Sequence, residues 1–169
     1  MIRIGIDPGI SGAIAAMSED GTECFGVWDM PVMDRPGKVN KQQVDGAALA
    51  DLLREIHHDR HDALIAVVEH VQSMANHGVT SSFNFGESFG VIKGVCQALR
   101  VPMHFSRPQA WKKSAGLIGA DKDASRTLCI QQFPEVANDL RLKKHHGRAD
   151  AILIALHGYT TTHARGKAA

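Results

Sequence analysis

The 169-residue sequence has few cysteines, and their spacing suits neither disulfides nor zinc. Cys24, Cys96 and Cys129 are an odd number of thiols without a Cys-x-x-Cys pair, which argues against a disulfide framework and a zinc site. No apolar run is long enough to cross a bilayer. The first residues lack the charged and then apolar layout of a secretion signal. We therefore expect a soluble, intracellular protein that does not act in a membrane.

The length and the charge distribution of the chain indicate its domain organisation and the kinds of ligand it can bind. The chain has the length of one domain, so we predict a single domain over residues 1–169. The net charge of +1 hides an uneven distribution, because residues 1–99 carry 7 Lys/Arg against 13 Asp/Glu, whereas residues 100–148 carry 10 against 4. Such a chain can hold cations in one part and phosphates in another. One-sided charge runs also occur in proteins that bind no nucleic acid.

Hydrophobic periodicity predicts three strands followed by alternating helices and strands. The predicted strands are 2–7, 12–17, 23–28, 63–69 and 101–105, and the predicted helices are 41–57, 81–99, 107–111, 121–133 and 147–163. The first of these helices would bury Val44, Ala48, Leu52 and Ile56. Residues 31–40, rich in proline and charge, are predicted to be a loop. This order predicts an α/β fold with a mixed five-stranded sheet and helices on both faces.

Three carboxylates stand at the ends of predicted elements. Asp7 ends the first strand, Glu69 ends the strand 63–69, and Asp150 lies near the start of the last helix. Ligands collect at the carboxyl ends of parallel strands, so these two strands would place Asp7 beside Glu69 if they are parallel neighbours. Alone, each acid has a plainer interpretation as a turn residue, an exposed strand end or a helix-start charge. Together they favour a site.

The chemistry of such a site is that of phosphodiester hydrolysis. Two divalent ions roughly 3.5–4 Å apart can support the attacking hydroxide, the phosphate charge and the departing oxygen. Carboxylates without cysteine favour Mg²⁺ or Mn²⁺ over zinc. His146 lies four residues before Asp150 on the same predicted helix face and is the stronger histidine candidate. His145 points elsewhere, and the choice between the two stays open.

Several blocks resemble the RuvC family of Holliday-junction resolvases over nearly the whole chain. They are IGIDPG at 4–9, VEHV at 68–71 and RADAILIA at 148–155, supported by 81–94, 108–113 and 121–122. The resemblance implies an RNase H-like fold and a crossover junction endodeoxyribonuclease that leaves 5′-phosphate and 3′-hydroxyl ends. It also implies two Mg²⁺ ions per active site, with Mn²⁺ as a substitute. Four-way or branched DNA would be the substrate of a homodimer formed through helix 81–99, with a branch-migration motor as a further partner.

The resemblance also assigns residues. Asp7, Glu69 and Asp150 would be the metal-binding acids, and His146 would take the fourth position. The phosphate-facing lysines would be Lys112 and Lys122, whereas Trp111 is predicted to belong to the core. The full set expected to contact the DNA backbone is Arg107, Lys112, Lys113, Lys122, Arg126, Lys143, Lys144 and Arg148.

Two departures from the family pattern stand out. His146 replaces the commoner acid one residue early, a layout similar to phage or prophage members, so we expect the cytoplasm of a bacterium or a phage-infected cell. Gln72 stands where bacterial members have an aromatic wedge, which leaves Met74 or His77 to distort the junction. Two other classes share features of this sequence: a module that binds branched DNA with weak or no cleavage, and a fragment of an actin-like kinase, suggested by Asp7-x-Gly9. No Gly-x-x-x-x-Gly-Lys-Ser/Thr phosphate loop supports the kinase.

Overall fold

The computed structural model describes residues 1–37, 41–70, 78–121 and 123–166, the last eight of them as backbone only. Lys122, Gln72, Met74 and His77 lie outside the described residues. The strands are β1 (Ile2–Asp7), β2 (Ala13–Met17), β3 (Cys24–Asp29), β4 (Val32–Asp34), β5 (Gln42–Val44), β6 (Leu64–Glu69) and β7 (Met103–Ser106). The helices are α1 (Gly46–Arg60), α2 (Val79–Ala98), α3 (Pro108–Ser114), α4 (Ala124–Gln132) and α5 (His146–Gly166), with short 3₁₀ turns at Pro134–Val136 and Lys143–His145.

The main sheet has five strands in the order β3-β2-β1-β6-β7. β1, β2 and β3 form an antiparallel meander, whereas β6 runs parallel to both β1 and β7. The strands are rich in β-branched and small apolar residues, which suits a sheet that is covered on both faces. The predicted mixed five-stranded sheet is therefore confirmed.

The sheet separates two hydrophobic layers. Ile4, Ile14 and Val68 face the layer that contains α1 and α2. Ala15 and Val67 face the opposite layer, with α4 and α5. Because side chains alternate along a strand, each buried strand supplies both layers. Helices on both faces of the sheet are thus confirmed as well.

Helix α5 lies unusually close to the sheet, because two glycines leave room for its backbone. A Cβ atom on Gly5 of β1 would lie 2.0 Å from the carbonyl oxygen of Ala151. A Cβ atom on Gly158 would lie 2.4 Å from Cγ2 of Val67 in β6. Residues 151–155 of α5 are consequently held against β1 two residues before Asp7, and Gly158 lies against β6 two residues before Glu69.

The predicted loop at 31–40 is wrong in part, since β4 pairs with β5 as a small antiparallel hairpin. The backbone N–H of Arg35 donates to the carbonyl of Lys41 at 2.7 Å within this hairpin. Strands of three residues are too short to produce a period-2 signal among prolines and charges. The hairpin matters below because it forms one wall of a groove.

The predicted start of the helix 41–57 is wrong, and its predicted buried face is right only in part, since Ile56 is buried and Leu52 is partly buried. Asp45 caps α1 by accepting from the backbone N–H groups of Ala47 and Ala48, so the helix begins at Gly46. Val44 therefore belongs to a strand, and Ala48 is exposed. The buried face of α1 consists of Leu49, Leu53 and Ile56.

In the part of the chain that the structure describes, no helix combines the length and the apolar character needed to cross a membrane.

Candidate active site

Asp7 and Glu69 end two adjacent parallel strands. The register pairs Gly5 with Val67 and Ile6 with Val68, so the next residue on each strand is one of the two acids. Parallel strands present their carboxyl ends at the same edge of the sheet. The structure thus brings these two predicted site residues side by side.

Asp150 reaches the same edge from the start of α5. A Cβ atom on Gly147 would lie 3.5 Å from Oδ2 of Asp7 and 2.9 Å from the carbonyl oxygen of Ser11. The charge of Asp150 raises the pKa of both Asp7 and Glu69. All three predicted acids therefore lie within electrostatic reach of one another.

The acidic character of this edge is visible in the pKa values of its carboxyl groups. Burial first, then the charges of Glu69 and Asp150, raise the pKa of Asp7 from 3.8 to about 7. Burial also raises the pKa of Glu69 and of Asp150. Lys112 opposes these shifts at all three acids. One ammonium group against three carboxylates leaves a site that favours additional positive charge.

The donor set fits a hard divalent cation. All three acids offer carboxylate oxygens, and among the described residues the site includes no thiolate. Within residues 1–37, 41–70, 78–121 and 123–158, no three His, Cys, Asp or Glu side chains lie close enough together to form a metal site.

His146, rather than His145, stands beside Asp150. A cavity of about 260 Å³ is lined by His146, Asp150, Lys112, Trp111 and Ser125, and by three further residues. The charge of His146 lowers the pKa of Asp150. His145 instead lies among other charged groups, Asp29, Lys144 and Arg148, and burial is the main cause that lowers its pKa.

Two contacts at the acids were not anticipated from the sequence. Trp111 is buried, as predicted for a core residue, but its Nε1 also donates to Oε1 of Glu69 at 2.8 Å. Ser125, buried on α4, forms a side-chain hydrogen bond with Asp150. The Pro-x-x-Trp spacing offered a signal for Trp111. The sequence offered no such signal for Ser125, which is simply a polar residue on the buried face of a short helix.

The predicted DNA-contacting cations divide into two groups. The exposed ones are Arg107, Lys112, Lys113, Lys143 and Lys144. Arg126 and Arg148 differ, because their guanidinium groups are engaged within the protein. Arg126 binds Asp123 and the carbonyls of Leu140 and Arg141, and its side chain is only 13% exposed.

Arg148 binds both carboxylate oxygens of Asp29, at 2.7 and 2.9 Å, and the carbonyl of Asp139 at 3.0 Å. These contacts join α5 to β3 and to the preceding loop. We therefore leave Arg126 and Arg148 out of the set expected to contact DNA.

Comparison with known proteins gave one curated relative and several solved structures. No family model matches the chain. The chain is 34% identical over 146 residues to the chloroplastic Holliday junction resolvase MOC1 of Chlamydomonas reinhardtii. The alignment covers 76% of this chain but 17% of that protein, so the chain spans less than a fifth of its relative's length.

The structural neighbours share the fold over nearly their whole length. A Thermus thermophilus RuvC in complex with a Holliday junction substrate gives a TM-score of 0.64 at 16% identity, covering 96% of each chain. The fowlpox virus Holliday junction resolvase gives 0.55 at 18% identity, covering 96% of this chain and 99% of that one. A second Thermus thermophilus RuvC structure gives 0.54 at 18% identity, covering 97% of each chain. The fold that the resemblance implied is confirmed, because the chain has the fold of these RuvC structures.

Proposed function

We propose that this chain is a RuvC-type resolvase, an endodeoxyribonuclease that cuts Holliday junctions and related branched DNA. The observation that carries the proposal is the convergence of Asp7, Glu69 and Asp150 at one sheet edge, where Glu69 and Asp150 raise the pKa of Asp7 and Asp150 raises the pKa of Glu69. The sequence similarity to a Holliday junction resolvase supports the choice of branched DNA over other phosphodiesters.

Asp7, Glu69 and Asp150, with His146 as a fourth ligand, would hold two Mg²⁺ ions, which Mn²⁺ can replace. When bound, such ions supply charge stabilisation for the phosphodiester and activation of water.

The remaining residues of the site orient these groups. Trp111 holds the Glu69 carboxylate through its indole N–H, and Ser125 holds Asp150. Lys112 is exposed at the cavity beside the acids, where its ammonium group can bind the phosphate under attack. His146 is exposed at the same cavity. Hydrolysis on this arrangement would leave 5′-phosphate and 3′-hydroxyl ends. Lys122 remains a proposed second phosphate contact.

The exposed cations Arg107, Lys113, Lys143 and Lys144 would bind the DNA backbone. Contacts of this kind position the duplex and carry little sequence information. They also make the affinity fall steeply with salt concentration.

We further propose that α2 forms the contact of a homodimer. Val79 and Phe83 are 88% and 68% exposed, and Cβ atoms on Gly86, Gly90 and Gly94 would meet nothing within 4 Å. Positions 79, 83, 86, 90 and 94 follow the helical repeat of three and four residues and share one face. Gly90→Arg should convert the dimer to a monomer in sedimentation, and an unchanged mass would contradict the interface.

Three further statements remain proposals. They are a single-domain organisation over 1–169, a cytoplasmic location in a bacterial or phage-infected cell, and a partner motor for branch migration. Imaging a tagged copy in its source cell checks the location. The curated relative carries a chloroplastic name, which gives the bacterial location no support.

A cleavage assay tests the main proposal. Labelled four-way junctions and linear duplexes of matched sequence are incubated with the protein in Mg²⁺, Mn²⁺ or EDTA. We expect the junction to be cut at paired positions only with a metal, and Asp7→Asn to bind it without cutting. Asp59→Asn, an exposed acid at the end of α1, is the matched control and should cut normally. A shifted but uncut junction for the unchanged protein would favour the binding module instead.

A further inference from the structure

A larger cavity, of about 520 Å³, borders the loop that follows Asp7. It lies between this loop, the β4–β5 hairpin and the amino-terminal half of α2, and we call it the hairpin groove. Its volume is that of a typical small-ligand site. None of the residues predicted from the sequence to act in catalysis or DNA binding lines the hairpin groove.

The hairpin groove is continuous with the acidic edge. The backbone N–H of Gly9 hydrogen-bonds the carboxylate of Asp7, and Gly9 itself lines the groove. A Cβ atom on Gly9 would lie 4.0 Å from Oδ1 of Asp7. Because consecutive nucleotides of B-DNA are about 3.4 Å apart along the helix axis, the nucleotide next to a phosphodiester held at Asp7 would lie near Gly9, at the mouth of the groove.

The hairpin contributes two cations to the groove. Arg35 forms an ion pair with Glu87 of α2, and its side chain is 16% exposed, so its charge is largely compensated. Lys41 is exposed and makes no ion pair with any residue that the structure describes. The groove therefore offers one uncompensated positive charge, which matches a single phosphate.

The other walls suit a nucleobase. The side-chain amides of Gln42 and Asn84 line the groove and form no hydrogen bond within the described part of the chain, so each presents a donor and an acceptor. Phe85 also lines it, and its ring is stacked on Phe89 at a centroid distance of 6.4 Å and an angle of 16°. Amide edges read bases, and aromatic faces stack on them. An inorganic anion would bind only the cations of the groove, Arg35 and Lys41, and would not use its amide and aromatic side chains.

We infer that the hairpin groove takes one nucleotide of the cut strand, next to the phosphodiester held at Asp7. Lys41 contacts the phosphate of that nucleotide, Phe85 lies against its base, and Gln42 and Asn84 bind the base edge. The inference rests on the proposed function for the position of the DNA. It makes the β4–β5 hairpin a determinant of cleavage-sequence preference.

The test uses binding rather than cutting. Junctions carrying 2-aminopurine, moved one nucleotide at a time around the crossover, are mixed with the full-length Asp7→Asn protein in EDTA. Fluorescence should rise at least twofold at one position, because the base leaves its stack in the DNA. Ser81→Trp fills the groove from an exposed position and should abolish the rise. Gln131→Trp, exposed on α4, is the matched control and should leave it unchanged.

A second measurement uses natural bases. In the unchanged protein, kcat/KM is compared for junctions that differ only at the nucleotide identified by 2-aminopurine. We expect a preference of about 5- to 150-fold for one base, the range of a good amide–base contact. Asn84→Ala should flatten that preference, whereas Gln131→Ala should preserve it.

The two proposals fail in distinguishable ways. If the protein cuts junctions but no 2-aminopurine position gives a rise that Ser81→Trp removes, the groove inference is wrong and the resolvase stands. If the groove signal appears but no metal supports cutting, the groove holds branched DNA and the nuclease is wrong. If the protein neither binds nor cuts junctions, both are wrong.

Discussion

Trp111 and Glu69 are joined by a hydrogen bond of 2.8 Å from the indole Nε1 to the carboxylate Oε1, although they lie on different elements. The indole is 1% exposed and packs in the same layer as α5. A core residue therefore also fixes the direction of an acid of the site. This hydrogen bond lowers the pKa of Glu69 against the rise caused by burial.

Trp111→Phe removes the N–H group while keeping most of the buried volume. We expect the free Glu69 carboxyl to rise in pKa and to lose its fixed orientation, so that kcat falls about tenfold. The acid limb of the pH–rate profile should move to higher pH. Trp28→Phe, on β3, is the matched control. A uniform loss of folded protein without a shifted pH profile would indicate that Trp111 serves packing alone.

The raised pKa of Asp7 predicts a pH dependence of metal binding. With a pKa of about 7, the carboxyl is protonated below neutral pH and must lose its proton before it binds a cation. The apparent Mg²⁺ affinity should therefore fall about tenfold for each pH unit below 7 and level off above pH 8. Titrating Mg²⁺ against junction cleavage from pH 5.5 to 8.5 measures this. An affinity that stays constant across the window would contradict the assigned role of Asp7.

Asp7 should also destabilise the fold when no cation is bound. Its pKa is raised from 3.8 to about 7 on folding, so the folded state binds more protons than the unfolded state between these values. Stability should therefore fall as pH rises through that window. In EDTA at pH 8, Asp7→Asn should raise Tm by several degrees, because each kcal/mol corresponds to about 2–4 °C in a chain of this size.

Near pH 3.5, below both pKa values, the same substitution should change Tm little, since Asp7 is then mostly protonated in the folded and the unfolded state. Asp59→Asn is the control and should leave Tm unchanged at both pH values. Thermal unfolding followed by circular dichroism gives the comparison. A destabilised Asp7→Asn at pH 8 would mean that the carboxylate is stabilised by partners rather than strained by its neighbours.

The two basic residues Arg148 and Lys144 should respond in opposite ways to substitution. Arg148→Gln removes a bidentate pair with Asp29, so we expect a loss of about 1 kcal/mol of stability and an unchanged salt dependence of junction binding. Lys144→Gln should leave stability unchanged and reduce the slope of log K against log salt by about 1. Urea unfolding and binding at several salt concentrations separate the two roles. Equal slopes of log K against log salt in both variants would contradict the separation of Arg148, as a structural residue, from Lys144, as a DNA contact.

The sequence predicted the sheet and the order of the acids because these depend on strong local patterns. Apolar strands such as β1 and β6 end in carboxylates, and parallel pairing alone then places Asp7 beside Glu69. Net charge and residue type could not separate Arg148 from Lys144, since the partner Asp29 lies 119 residues away in the chain. The β4–β5 hairpin was missed because its strands are only three residues long. Ser125 was missed because hydrogen bonding across α4 and α5 leaves no periodic signal.

Gly5→Ala tests the link between the fold and the site. The added Cβ would lie 2.0 Å from the carbonyl oxygen of Ala151 and 2.7 Å from the backbone nitrogen of Ala155, so α5 must move away from β1. Backbone atoms cannot yield as a flexible side chain does, and overpacking costs about 1–3 kcal/mol or more. Because Asp150 precedes Ala151, the same movement should carry that acid away from Asp7.

Gly46→Ala is the matched control, since its Cβ would meet side-chain atoms alone, Cγ1 of Val91 at 3.0 Å and Cγ2 of Val95 at 3.5 Å. We expect Gly5→Ala to lower both Tm and kcat, and its folded fraction to have a lower pKa for Asp7, because one repelling charge has moved off. Gly46→Ala should change neither activity nor that pKa. If Gly5→Ala lost stability yet kept full kcat, the contact between β1 and α5 would serve the core alone, and Asp150 would owe its position to other contacts.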